Sequence, residues 1–95
     1  MVYKEGSGWG PIEFVKDPFM RLHVGSSALN YGQSVFEGLK AFRSLDGSVR
    51  VFRPDMNAER INHSAECVSM PPIDKQQFLD CVELAVAKNL EFVRT

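Results

Sequence analysis

Ninety-five residues, 44% of them hydrophobic and 24% charged, with a net charge of -1, describe one small domain with room for a single core. Lysines and arginines are spread along the chain, so nothing in the charge pattern favours nucleic acid or an anionic membrane as a partner. No apolar run approaches the ~20 residues of a membrane-spanning helix.

The opening MVYKEGSGWG carries neither a secretory pattern nor the Arg-rich, amphipathic character of a transit peptide. The expectation is a cytoplasmic setting, or a mitochondrial one if an import segment belongs to a longer parent. Gly6, Gly8 and Gly10 invite comparison with a dinucleotide-binding turn, but Pro11 follows and no strand precedes, so the match fails. Ile12 to Val15 and Phe19 to Val24 read as short strands separated by the turn signal Lys16-Asp17-Pro18. His23, at the end of the second, is expected to be a hydrogen-bonded structural residue. Gly25-Ser26-Ser27 is a loop, with Ser27 set to cap a short helical turn through Asn30 to Ser34.

Ala28 to Arg43, reading ALNYGQSVFEGLKAFR, is poor material for an ordinary core. If Phe36 to Arg43 is a strand, alternation puts Phe36, Gly38, Lys40 and Phe42 on one face and Glu37, Leu39, Ala41 and Arg43 on the other. A glycine inside a strand packs nothing and marks either a bulge or a place where a ligand or another backbone comes close. From the residues alone the bulge is the plainer reading of Gly38.

Asp46-Gly47 between apolar runs signals a hairpin returning along Val49 to Arg53. A two-residue type I′ loop would pair Ala41 with Phe52 and Phe42 with Val51, leaving Arg43 opposite Arg50. Pro54 suits the first turn of a helix expected to run to about Val68. Its stripe is Ile61, Ala65 and Val68, with Asn57, Arg60 and Ser64 on a neighbouring one. Met70-Pro71-Pro72 ends it. Asp74 and Gln77 form a capping-box pattern, and Leu79, Val82, Val86, Leu90 and Val93 then step as one amphipathic helix of about five turns. Cys67 and Cys81 read as free core residues. The triplet Asn62-His63-Ser64 matches a glycosylation acceptor but falls within a helix and is discounted. The fold class is α+β: an antiparallel sheet with a β-hairpin and two helices packed on one side, closing one modest core.

For chemistry, Ser26, Ser27 and Ser34 lie near His23 but no nucleophile elbow accompanies them. Glu59, His63 and Cys67 share a helix face, yet no second cluster completes a four-ligand metal set, so no metal is expected. Arg60 is more informative. Its planar donor fork beside Asn57 and Ser64 suits bidentate binding of phosphate or carboxylate, and equally a salt bridge to Glu59, Asp55 or a neighbouring strand.

Leu22 to Tyr31, Val35 to Arg43, Val51-Phe52-Arg53-Pro54, and Asn57, Arg60 and Ser64-Ala65 together resemble the small N-terminal domain of branched-chain amino acid aminotransferases. These are class IV, fold type IV, pyridoxal-phosphate enzymes. The resemblance runs from about Trp9 through nearly the whole chain. It implies that Arg60 binds the cofactor phosphate, that Phe36 walls the pocket for a branched aliphatic side chain, that Gly38 lies beside the substrate, and that Tyr31 reaches the substrate pocket of the partner subunit in a homodimer. Lys40 stands at a basic position and is not assigned a catalytic role.

The resemblance also implies what is missing. The lysine that carries the cofactor and moves the proton belongs to a large C-terminal domain, and Lys4, Lys16, Lys40, Lys75 and Lys88 do not match it. The expected function is therefore part of a transaminase exchanging amino groups between leucine, isoleucine or valine and 2-oxoglutarate. The chain alone is expected to be inactive, to have no catalytic residue of its own, and to bind pyridoxal phosphate weakly or not at all. Alternatives are a non-catalytic module associating with a full-length class IV aminotransferase, or the small domain of a D-amino acid aminotransferase or an aminodeoxychorismate lyase.

Overall fold

A computed structural model describes residues 1–94, and its elements follow one another as hairpin, short helix, hairpin and helix pair. Strands β1 (Tyr3–Lys4) and β2 (Gly8–Trp9) pair antiparallel, with the Tyr3 and Trp9 rings meeting edge to face at 5.4 Å. This first hairpin was not expected from the sequence. The Trp9 indole Nε1 donates to the carbonyl of Pro72 at 2.7 Å, which ties the N-terminus to the link between the two long helices.

Ile12 to Val15 and Phe19 to Val24 form no strand, and Val24 lies in a turn, against expectation. Their β-prone residues find no sheet edge among the described residues, and Phe14, Phe19, Met20, Leu22 and Val24 stay exposed. The intervening turn does form, with the Phe19 amide donating to Asp17 Oδ1 at 3.0 Å. His23 has the structural role expected of it, its Nδ1 accepting from the Gly25 amide at 3.0 Å. Helix α1 (Ser27–Asn30) begins one residue earlier than expected: Ser26 is the capping position, and the Ser27 hydroxyl instead donates to Gln33 Oε1 at 2.6 Å.

Strand β3 (Ala41–Arg43) pairs antiparallel with β4 (Val49–Val51), so the expected strand from Phe36 is paired only over its last three residues. Its alternation nevertheless extends back through the unpaired part. Phe36, Gly38, Lys40 and Phe42 are exposed, while Val35, Glu37, Leu39, Ala41 and Arg43 are half-buried. The register is shifted by one from the expected pairing: Ala41 opposes Val51, Phe42 opposes Arg50 and Arg43 opposes Val49. The loop holds one residue more than a type I′ turn, and only Gly47 takes a positive φ, of 83°. That is the three-residue loop in which a turn is followed by a left-handed glycine. The shift sets each arginine against a residue of another kind and removes the Arg43–Arg50 repulsion. Beyond the loop, the Arg43 amide donates to the carbonyl of Arg94 at 3.0 Å.

Helix α2 (Pro54–Cys67) starts at the expected proline, with Asp55 favourably placed in the first turn. It ends before the two prolines are reached. Ser69 takes φ 55°, its amide donates to the carbonyl of Glu66, and the Met70 amide donates back to Ala65 at 2.8 Å. This is a Schellman ending with serine where glycine is usual. Asn62 then clamps the connection, its side chain accepting from the Ile73 amide at 2.9 Å and donating to the Ile73 carbonyl at 2.8 Å.

Helix α3 (Lys75–Ala87) is capped by Asp74, whose carboxylate accepts from the amides of Gln76 and Gln77. It is shorter than the apolar spacing implies, because the Asn89 side chain donates to the carbonyl of Ala85 at 2.8 Å and competes with continued helix. Leu90–Phe92 forms a separate 3-10 turn.

The α+β architecture is the one expected, with its strands in two separate pairs and α2 packed on α3. The closed core is not found. Ala58 and Ala65 are the buried hydrophobic residues among those described, Cys67 is exposed, and Cys81 is half-buried. The radius of gyration is 15.1 Å, against about 12.4 Å for a compact domain of this length. No helix among the described residues is long and apolar enough to cross a membrane.

Candidate functional site

Arg60 lies in the second turn of α2, three residues beyond Asn57, so both project toward the extended stretch that leads into β3. Nε of Arg60 donates to Glu37 Oε1 at 2.8 Å, and Nη2 donates to Glu37 Oε2. The Asn57 amide donates to the same Oε2 at 2.8 Å and to the Gly38 carbonyl at 3.3 Å. The two ends of this ion pair differ in surroundings. The Glu37 side chain is 7% exposed and that of Arg60 63% exposed. The arginine holds the Glu37 carboxyl below the usual carboxylate range, opposed by burial and helped by Asn57, and Glu37 in turn raises Arg60.

Of the ion-pair partners weighed from the sequence, the neighbouring segment is the one used. Glu59 instead accepts from Lys75 at 2.8 Å, and Asp55 forms a two-bond pair with Arg53. Alternation had placed Glu37 on the face opposite Phe36 without showing which face is inward. That signal was present in the sequence, but it became a pairing only once the helix flank was laid against the segment.

Phe36 and Gly38 flank Glu37 on the outward side, and the Phe36 ring is 88% exposed. Among the described residues no strand pairs with residues 36–40, so no ladder is found there for a bulge at Gly38 to interrupt. A Cβ at Gly38 would meet nothing of this chain within 4 Å, and its φ is not positive. Neither packing nor backbone geometry in this chain therefore requires glycine there. The structure brings Arg60, Glu37, Asn57, Phe36 and Gly38 to one place. Tyr31 closes α1 as the residue after its last turn and is 86% exposed.

Lys75 is raised by Glu59, the opposite of what a nucleophilic amine needs, and Lys88 lies 6.0 Å from the centre of the Phe14 ring. A cleft of about 650 Å³ lies between the first hairpin and residues 11–20, and none of Tyr31, Phe36, Gly38 and Arg60 lines it.

No family model matches the chain. Among curated proteins, it is 55% identical over 89 residues to a transaminase of Alternaria alternata named AMT5, covering 94% of this chain and 24% of that protein. It is 55% identical over 85 residues to the transaminase htyB of Aspergillus rugulosus, covering 90% of this chain and 22% of the relative. It is 46% identical over 87 residues to a protein of Glarea lozoyensis named branched-chain amino acid aminotransferase gloG, covering 92% of this chain and 24% of that one. The chain thus spans about a quarter of the length of the curated relatives it matches, and those relatives are named as transaminases and aminotransferases.

Proposed function

We propose that this chain supplies the phosphate-binding and side-chain-binding portion of a class IV, pyridoxal-phosphate-dependent aminotransferase. The reading is carried by Arg60, an exposed guanidinium held along one edge beside the bare backbone of Gly38. The similarity to named transaminases supports it over a quarter of their length.

The residues suit the phosphate end of the cofactor. A guanidinium offers a planar fork that matches two phosphate oxygens, and this one keeps an edge clear of protein acceptors among the described residues. When bound, pyridoxal phosphate supplies the electron sink through which an amino group is exchanged. This chain's residues would bind and orient. Arg60 would hold the phosphate, Phe36 would offer an apolar wall to an aliphatic side chain, and Gly38 would let the substrate approach a backbone without a Cβ. Tyr31 would serve the site of a second subunit in a homodimer. The proposed substrates are a branched-chain amino acid and a 2-oxo acid, following the printed name of one relative.

The proton-moving lysine would come from the part of the enzyme that these 95 residues do not include. The chain alone is therefore expected to show no turnover of leucine with 2-oxoglutarate and no visible band of lysine-bound cofactor when titrated with pyridoxal phosphate. Turnover together with such a band would overturn the reading. In a full-length enzyme carrying this stretch, Arg60→Ala is expected to raise the concentration of pyridoxal phosphate needed for half activity by about a hundredfold, the scale set by losing a charged hydrogen-bonding pair. An unchanged requirement would remove Arg60 from the cofactor site.

A further inference from the structure

A guanidinium has more than one hydrogen-bonding edge, and Glu37 uses the edge formed by Nε and Nη2 of Arg60. The edge shared by Nη1 and the second Nη2 hydrogen has no protein acceptor among the described residues, and the side chain is 63% exposed. Glu37 is in the opposite situation. Its side chain is 7% exposed, and Oε2 is also held by Asn57, a residue 8% exposed on the inner face of α2. A carboxylate held in this way cannot follow the arginine into solvent. The longer, exposed side chain is the one that must conform.

We propose that Glu37 is a positioning residue, which fixes Arg60 by its inner edge so that the outer edge stands as a ready-made fork for a phosphate monoester, with Asn57 fixing Glu37 in turn. This rests on the reading of Arg60 given above and deepens it by assigning roles to two residues that reading leaves without one. An arginine loses considerable rotamer freedom when it binds, and one already immobilised by a neighbour has less left to lose. In the opposite arrangement Glu37 would hold the arginine in reserve and release it to an arriving anion. That would leave a largely buried carboxylate without its cation, which is strongly unfavourable.

The test is arginine side-chain NMR on a full-length enzyme carrying this stretch, freed of cofactor and titrated with inorganic phosphate. The Nη signals of Arg60 are expected to move with phosphate while the Nε–H signal, engaged with Glu37, stays in place. Glu37→Asp keeps the charge but withdraws the carboxylate by one methylene. It is expected to raise the phosphate midpoint about tenfold and to abolish the exchange protection of the Nε–H signal before phosphate is added. A residue that merely supported the fold would lower stability and leave that midpoint where it was.

A wild-type midpoint in Glu37→Asp overturns the inference, and so does an Nε–H signal in the unaltered chain that moves in step with Nη. The second measurement needs no variant, so it stands even if Glu37→Asp does not fold. Absence of any Arg60 response at saturating phosphate overturns the phosphate reading of Arg60 itself, which separates the two failures.

Discussion

Asp55 shows how far one residue's behaviour follows from a neighbour two positions away. The Arg53 side chain, donating through Nε at 3.0 Å and Nη2 at 2.8 Å, lowers the Asp55 carboxyl from 3.8 to about 2. A carboxyl whose folded value is depressed contributes stability that is present above its unfolded value and is lost as pH falls through the folded one. The loss attributable to this pair is therefore expected between pH 3.8 and about 2, and a carboxyl-carbon NMR titration should find a midpoint near the lower value. A midpoint at 3.8 would mean that the pair does not persist in solution. Arg53 was legible only as part of a motif. That its backbone takes the left-handed region at φ 45°, immediately before Pro54, could not be read from residue type, because positive φ is uncommon outside glycine. Arg60 was legible as a guanidinium on a helix flank, whereas Glu37 as its partner depended on how that helix meets a segment twenty-three residues earlier.

At the scale of elements, capping chemistry was more legible than register or length. Pro54 and Asp74 mark the starts of α2 and α3 as expected, because each acts through atoms within a few residues of itself. The hairpin register was missed by one position, since Asp46-Gly47 is compatible with loops of two or three residues and only the backbone angle at Asp46 distinguishes them. The far end of α3 was missed because the apolar spacing continues through Leu90 and Val93 while the Asn89 side chain takes the carbonyl of Ala85. The end of α2 gives the sharpest prediction. Ser69 at φ 55° occupies a position that glycine adopts without steric cost. Ser69→Gly is expected to stabilise the chain by about 1 kcal/mol, measured as a higher urea midpoint with an unchanged slope. A lower midpoint would show that the Schellman ending is not the dominant conformation there.

The molecule as a whole departs furthest from what composition suggests. An accessible surface of 7911 Å² compares with about 5,500 Å² for a folded monomer of this size. A hydrophobic fraction of 44% signals a capacity to bury surface, and it cannot say whether the partner surface lies within the same 95 residues. Here much of that surface has no partner among the described residues: Phe36, Phe52, Phe19 and Tyr31 all face outward. Apolar exposure on this scale favours association. Small-angle scattering of the isolated chain is accordingly expected to give a radius of gyration at or above 15.1 Å, with apparent mass rising with concentration. A concentration-independent monomer near 12.4 Å, about the compact-domain value, would mean that the chain closes a core of its own.

The bond from the Arg43 amide to the carbonyl of Arg94 joins the first strand of the second hairpin to backbone that lies past the last helical turn. Exchange of the Arg43 amide with deuterated water therefore gauges whether residues 93 and 94 remain docked. A purification tag fused directly after this stretch would strain that one rung before it disturbed either helix, so a cleavable tag at the opposite terminus is the safer way to prepare the protein.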